Sequence, residues 1–230
     1  MRTSETEGTQ HTGAVAVPKP LLRGWFHAAA AVAAALFTAV LLAASAADGP
    51  RMLSMLVFGL SMIQLYTVSA LYHIGRWGDR ARRVLRSLDH ANIFVLIAGT
   101  YTPLCFNVLP GGPRVAGLAA IWLLAGAGVL VSVFKPDLPR WVLAGLYVVM
   151  GWLAVALLPA LWSVVSWPPV AVMILGGVLY TMGAVIYARK RPNPFPRVFG
   201  FHEIFHLFVI AGNVAFAVVV WVWALPFPRA

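Results

Sequence analysis

The chain has 230 residues, of which 61% are hydrophobic and only 10% charged, with a formal net charge of +10. That composition excludes a water-soluble globular domain, in which about a quarter of residues are charged, and marks an integral membrane protein. Seven uncharged runs reach the length of about 20 residues that a helix needs to cross a hydrocarbon core about 30 Å thick, which leaves no room for a soluble catalytic domain.

Residues 1–21, MRTSETEGTQHTGAVAVPKPL, are polar, carry two glutamates and two prolines, and show no period. They read as a disordered cytoplasmic tail. The remainder, 22–230, reads as one membrane domain. Its first helix is expected at about 24–47. Ala44-Ser45-Ala46 looks like a signal-peptide cleavage site, but signal cores span only about 7–15 apolar residues, so this longer run is read as a retained helix. Further helices are expected at about 52–74, 88–109, 115–134, 141–162, 167–188 and 201–225. All are too long and too continuously apolar for barrel strands, which alternate over about 10 residues. Pro110-Gly111-Gly112-Pro113 reads as a tight turn, 135–140 as another, and 189–196 as a stiff basic loop. Pro103 lies inside the third helix, where its missing N–H is expected to free a carbonyl and kink the segment. Cys105, the single cysteine, has no partner and says nothing about redox compartment. No internal repeat supports an inverted-repeat transporter.

Lys and Arg near helix ends are retained on the cytoplasmic side of a membrane. With the amino terminus inside, the cytoplasmic segments hold Arg2, Lys19 and Arg23, then Arg76, Arg80, Arg82, Arg83 and Arg86, then Lys135 and Arg140, and finally Arg189, Lys190, Arg191 and Arg197. These are 14 of the 17 basic residues, so the carboxyl terminus is expected outside. The positive charge is this sorting signal together with attraction to anionic membrane lipids, and nucleic acid is not an expected partner. The expected location is a bacterial plasma membrane.

Four ionisable groups fall at one bilayer depth, at the cytoplasmic boundary. The second helix ends Ser69-Ala70-Leu71-Tyr72-His73, which puts Ser69 and His73 a turn apart on one face. The third enters at Leu88-Asp89-His90, and the seventh at His202-Glu203-Ile204-Phe205-His206, whose two histidines share a face. Burying such groups costs several kcal/mol each unless they pair or bind a cation. His73, His202 and His206 therefore read as metal ligands, since three neutral imidazoles and an open fourth position form the arrangement of catalytic zinc. His27 and His90 are read as residues that reach headgroups or a neighbouring helix. The H-E-x-x-H spacing makes a membrane metalloprotease with Glu203 as base a competing reading.

Ser69-x-x-x-His73, the run from Leu88-Asp89-His90 through Gly99-Thr100-Tyr101-Thr102-Pro103, and His202-Glu203-Ile204-Phe205-His206 together resemble the hemolysin III family. That family stands with the progestin and adipoQ receptors, including the adiponectin receptors, and more distantly with alkaline ceramidases. The resemblance implies a seven-helix bundle with an inside amino terminus, zinc held by His73, His202 and His206, and Asp89 and Ser69 beside the metal-activated water. In receptor relatives the residue after the first histidine of the pair can be glutamine, so the family chemistry does not require Glu203. The expected function is hydrolysis of an amide or related acyl bond of a lipid, with Asp89 orienting or deprotonating the water and Ser69 contacting the developing oxyanion. Asn213, about three turns deeper than His202 on the same face, is a candidate to line the lipid cavity. A receptor or lipid sensor with structural zinc, and a cytolytic protein, are the alternatives. No amphipathic segment supports the last.

Overall fold

The computed structural model describes residues 20–228, which form helices and no sheet. The helices are α1 (Trp25–Ala44), α2 (Gly49–Ile74), α3 (Asp79–Val108), α4 (Gly111–Phe134), α5 (Arg140–Trp152), α6 (Ala154–Trp162), α7 (Trp167–Arg189) and α8 (Phe201–Val219), the last closing on a π-helical turn, Val220–Ala224. With α5 and α6 taken as one span, seven are long and apolar enough to cross a membrane. Helices are what a lipid solvent demands, because each satisfies its backbone N–H and C=O groups internally. Residues 1–19 of the expected tail lie outside the described residues. Leu21 and Leu22 donate backbone hydrogen bonds to the carbonyls of Arg197 and Val198, tying the entry of α1 to the loop before α8.

The bundle is inside-out relative to a soluble protein. Leu36, Leu123, Phe134 and Val149 are exposed on its flanks, whereas Asn92, Asn107 and Asn213 are buried. The buried amides join helices: Gln64 donates to Asn92 at 2.8 Å, Asn107 to Ser54 at 2.8 Å, and Asn213 to the Tyr66 hydroxyl at 2.8 Å. Such bonds hold membrane helices together where no hydrophobic drive exists between them. The most enclosed helix is α3, whose membrane window is 78% buried against 22% for α1. It packs between α2 and α4, while α7 packs on α8 and α5, and α1 touches α2 and, lightly, α8.

Three boundaries differ from expectation. The third helix begins at Asp79 rather than near 88, so its first turns carry Arg80, Arg82, Arg83 and Arg86. The stretch is charged but rich in good helix formers, and Asp79 in the first turn complements the helix dipole. The turn at Pro110 is shorter than expected, because α4 already starts at Gly111. The fifth span is interrupted at Leu153. There the Tyr101 hydroxyl donates to the Gly151 carbonyl at 2.7 Å, which satisfies a group that the interrupted helix leaves open. Helix α3 passes through Pro103 without a break.

Candidate metal centre

The last turn of α2, the first third of α3 and the first turns of α1 and α8 meet at one end of the bundle. His73 comes from α2; His202 and His206 come from α8, where i, i+4 spacing puts both on one face. One ligand atom from each of these three histidines lies within 4.8 Å of the others, and the Nε2 atoms of His73 and His202 are 3.1 Å apart. All three are buried, His206 to 1% exposure, and its Nδ1 has no hydrogen-bond partner.

Gly24 lets the helices come this close. It has φ +90°, the left-handed region where a side chain is strained, and a Cβ placed on it would lie 2.9 Å from the Cβ of His73.

Asp89 Oδ2 is 3.7 Å from His73 Nε2, and Ser69 is buried one turn before His73 on α2. Glu203 does not join the group. It is fully buried, but one carboxylate oxygen pairs with the Arg23 guanidinium and the other accepts from the Gly200 amide at 2.7 Å at the start of α8. Asn213 is used between helices, accepting from Tyr180 at 3.0 Å and donating to Tyr66, and it also lines an outer crevice between α1 and α8.

Of the two expectations for His27, headgroups or a neighbouring helix, the structure shows the second: it is 3% exposed and stacks on His206 of α8 with ring centroids 3.7 Å apart. The signal for this was its place one turn after Gly24, since the glycine turns the chain so that α1 starts against the end of α2. His90, half-buried, lines the cavity beside the cluster and accepts at its carbonyl from Tyr147.

That cavity, about 460 Å³, is bounded by His73, His202, Asp89 and Tyr187 on the inner side and by several arginines on the outer side. Deeper in the bundle, Phe205, Leu65, Ile93, Ile97 and Val209 line a narrow apolar cavity.

The donor set fits a metal ion. Metal–nitrogen bonds of about 2.0–2.1 Å at tetrahedral angles put nitrogen atoms about 3.3 Å apart, close to the observed His73 to His202 separation of 3.1 Å. A buried imidazole nitrogen left without a partner, as in His206, is the kind of group an ion satisfies.

The chain is similar to known proteins along most of its length. A family model for haemolysin-III related proteins matches residues 15–217. The chain belongs to that family. It is 34% identical over 197 residues to the hemolysin-3 homolog of Bacillus subtilis (strain 168), covering 84% of this chain and 88% of that protein. It is 33% identical over 172 residues to hemolysin-3 of Bacillus cereus, 74% of each. The human monocyte to macrophage differentiation factor is 24% identical over 170 residues, 72% of this chain and 68% of the relative. No solved structure matches the chain. As a family member it is an integral membrane protein with three histidines placed to hold a metal ion.

Proposed function

We propose that this protein is a zinc-dependent hydrolase that cleaves an amide or related acyl bond of a membrane lipid. The reading is supported by one juxtaposition: three buried histidines with ligand atoms within 4.8 Å, an aspartate 3.7 Å from one of them, and a cavity open beside both. The metal is taken as zinc because three neutral imidazoles and a free fourth position form a catalytic zinc donor set. When bound, it supplies a Lewis acid and lowers the pKa of water toward about 7.

Asp89 orients the attacking water and takes its proton. It then delivers that proton to the leaving nitrogen or oxygen as the bond to the carbonyl carbon breaks. Water is consumed, and a fatty acid and an amine or alcohol are released. The Ser69 hydroxyl proton can swing about the Cβ–Oγ bond to the carbonyl oxygen as charge develops there. The apolar lining of the deeper cavity, Phe205, Leu65, Ile93 and Val209 among it, offers an acyl chain compatible surroundings. In the proposed topology the amino terminus is cytoplasmic, the membrane is the bacterial plasma membrane, and the site meets the inner leaflet.

Purified protein incubated with total lipid extract should release fatty acid, and a chelator should stop it. Equal release with and without chelator, or none in either arm, overturns the hydrolase. A receptor or lipid sensor with structural zinc is the second reading, favoured by the burial of all three histidines; it expects no release but lower thermal stability on chelation.

A further inference from the structure

We propose that the cavity over the histidine cluster recognises a lipid headgroup that ends in a phosphate monoester, held by Arg82 and Arg140. The proposal rests on the hydrolase reading for the role of that lipid as substrate.

Four arginines, Arg23, Arg82, Arg86 and Arg140, line the cavity against a single carboxylate, Asp89. They come from the entry of α1, the first turns of α3 and the start of α5. Two are already engaged. Arg23 is paired with Glu203, and Arg86 reaches Asp137 at 3.3 Å. Arg82 and Arg140 have no carboxylate partner among the described residues, and the Arg140 guanidinium sits 5.3 Å above the Tyr187 ring. Tyr187 in turn packs edge-on against His202, with centroids 5.8 Å apart. The unpaired cations are exposed to solvent and line the hollow beside the histidine cluster.

A sorting signal alone needs basic residues at the membrane boundary but not their convergence on one hollow. Arg80 and Arg83 show the contrast: they lie on the same turns of α3 and are as exposed as Arg82, but do not line the cavity. The chemistry selects the ligand. A guanidinium presents a planar fork that matches two oxygens of a phosphate, and a hollow of about 460 Å³ falls within the range of about 300–1,000 Å³ typical of small-ligand sites. At one end of a bundle of membrane-spanning helices, such a phosphate arrives attached to acyl chains.

The test is calorimetric binding to full-length, metal-loaded protein in neutral detergent. The probes are ether-linked short-chain analogues of phosphatidic acid and phosphatidylcholine, which contain no acyl bond to cleave, and inorganic phosphate. The phosphatidic acid analogue should bind about tenfold or more tightly than the choline analogue, the difference that one charge-assisted contact supplies. Arg82→Gln combined with Arg140→Gln should abolish the preference, and Arg80→Gln combined with Arg83→Gln should preserve it. Thermal unfolding without lipid separates a folding defect from lost recognition, and Arg82→Lys with Arg140→Lys, which keeps the charge but not the fork, should bind between wild type and the glutamine pair.

Equal affinity for the two lipids overturns the proposal, as does an equal loss in the Arg80/Arg83 pair. Inorganic phosphate binding as tightly as the lipid overturns the assignment to a headgroup. The outcomes separate from those of the hydrolase test. Selective headgroup binding without fatty-acid release from lipid extract removes the hydrolase and leaves the anion site, whereas chelator-sensitive release without headgroup preference does the reverse.

Discussion

Arg23 and Glu203, 180 residues apart in sequence, pair where α1 and α8 begin. Because the other oxygen of Glu203 accepts from the Gly200 amide, the carboxylate holds the helix of His202 and His206 against the entry of α1. A carboxylate occupied on both oxygens is poorly placed to serve as the base that the H-E-x-x-H spacing suggests. Its fully buried position makes it a structural anchor.

Glu203→Gln keeps the shape and leaves the Arg23 guanidinium without its counter-ion, a loss worth about 1–3 kcal/mol. The expected outcome is a lower thermal midpoint in detergent with metal content retained. Arg23→Met combined with Glu203→Leu removes both charges and should recover part of the loss. A Glu203→Gln protein as stable as wild type would show that the pair does not anchor α8.

Gly24 tests the close approach of α1 to α2. In Gly24→Ala the left-handed backbone alone costs about 1–2 kcal/mol, and the added Cβ, 2.9 Å from that of His73, pushes on a proposed ligand. Metal affinity and thermal midpoint should both fall. Gly49→Ala, where a Cβ meets nothing within 4 Å, should change neither. If Gly24→Ala bound metal like wild type, the spacing between α1 and α2 would not matter to the centre.

About one zinc per chain is expected in purified protein, since the donor set serves a single ion. His73→Ala, His202→Ala and His206→Ala should each lose most of it by elemental analysis. His27→Ala removes a ring stacked on His206 rather than a ligand, so it should keep the metal with an affinity about tenfold weaker, as for other residues that support a ligand. Iron or manganese in place of zinc would change the cofactor but not the site. Full retention in all three ligand variants contradicts the centre.

The excess of basic residues at the end of the bundle that carries the histidines motivates a topology test. A reporter fused after Ala230 should read external, and one inserted in the 189–197 loop internal. The reverse pattern would move the centre to the outer leaflet and take the proposed cytoplasmic lipid supply with it.

The spans were legible because apolar runs of membrane length have few alternatives in lipid, and the α8 pair was legible because i, i+4 spacing needs no tertiary knowledge. His73 and Asp89 could be matched to it by depth alone, since each lies where a helix leaves the membrane. What stayed hidden depends on contacts that periodicity does not encode. The His27 stack requires the left-handed turn at Gly24. The interruption at Leu153 is sustained by a hydroxyl from α3, fifty residues away from the carbonyl it serves. Charge counting treats Arg80 and Arg82 alike, although only the second lines the cavity. The helical start of α3 at Asp79 was masked for the same reason, because a basic stretch beside a membrane reads as loop until its packing is seen.

Asp89 carries the proposed chemistry, and its exchange for asparagine separates that role from a structural one. The amide keeps the size of the carboxylate, so folding and metal content should be nearly unchanged. It cannot take a proton, and loss of a general base lowers turnover by about 10²- to 10⁴-fold. Ser69→Ala should cost about 10²-fold or more in kcat if its hydroxyl meets the oxyanion, with zinc again retained. Glu203→Gln, assayed below its lowered midpoint, should cleave lipid at close to the wild-type rate because its side chain is turned to Arg23 and Gly200. A protease would give the opposite ranking on a peptide substrate. Lipid hydrolysis by Asp89→Asn at the wild-type rate, with zinc bound, would remove Asp89 as the base and leave it as a neighbour that orients His73.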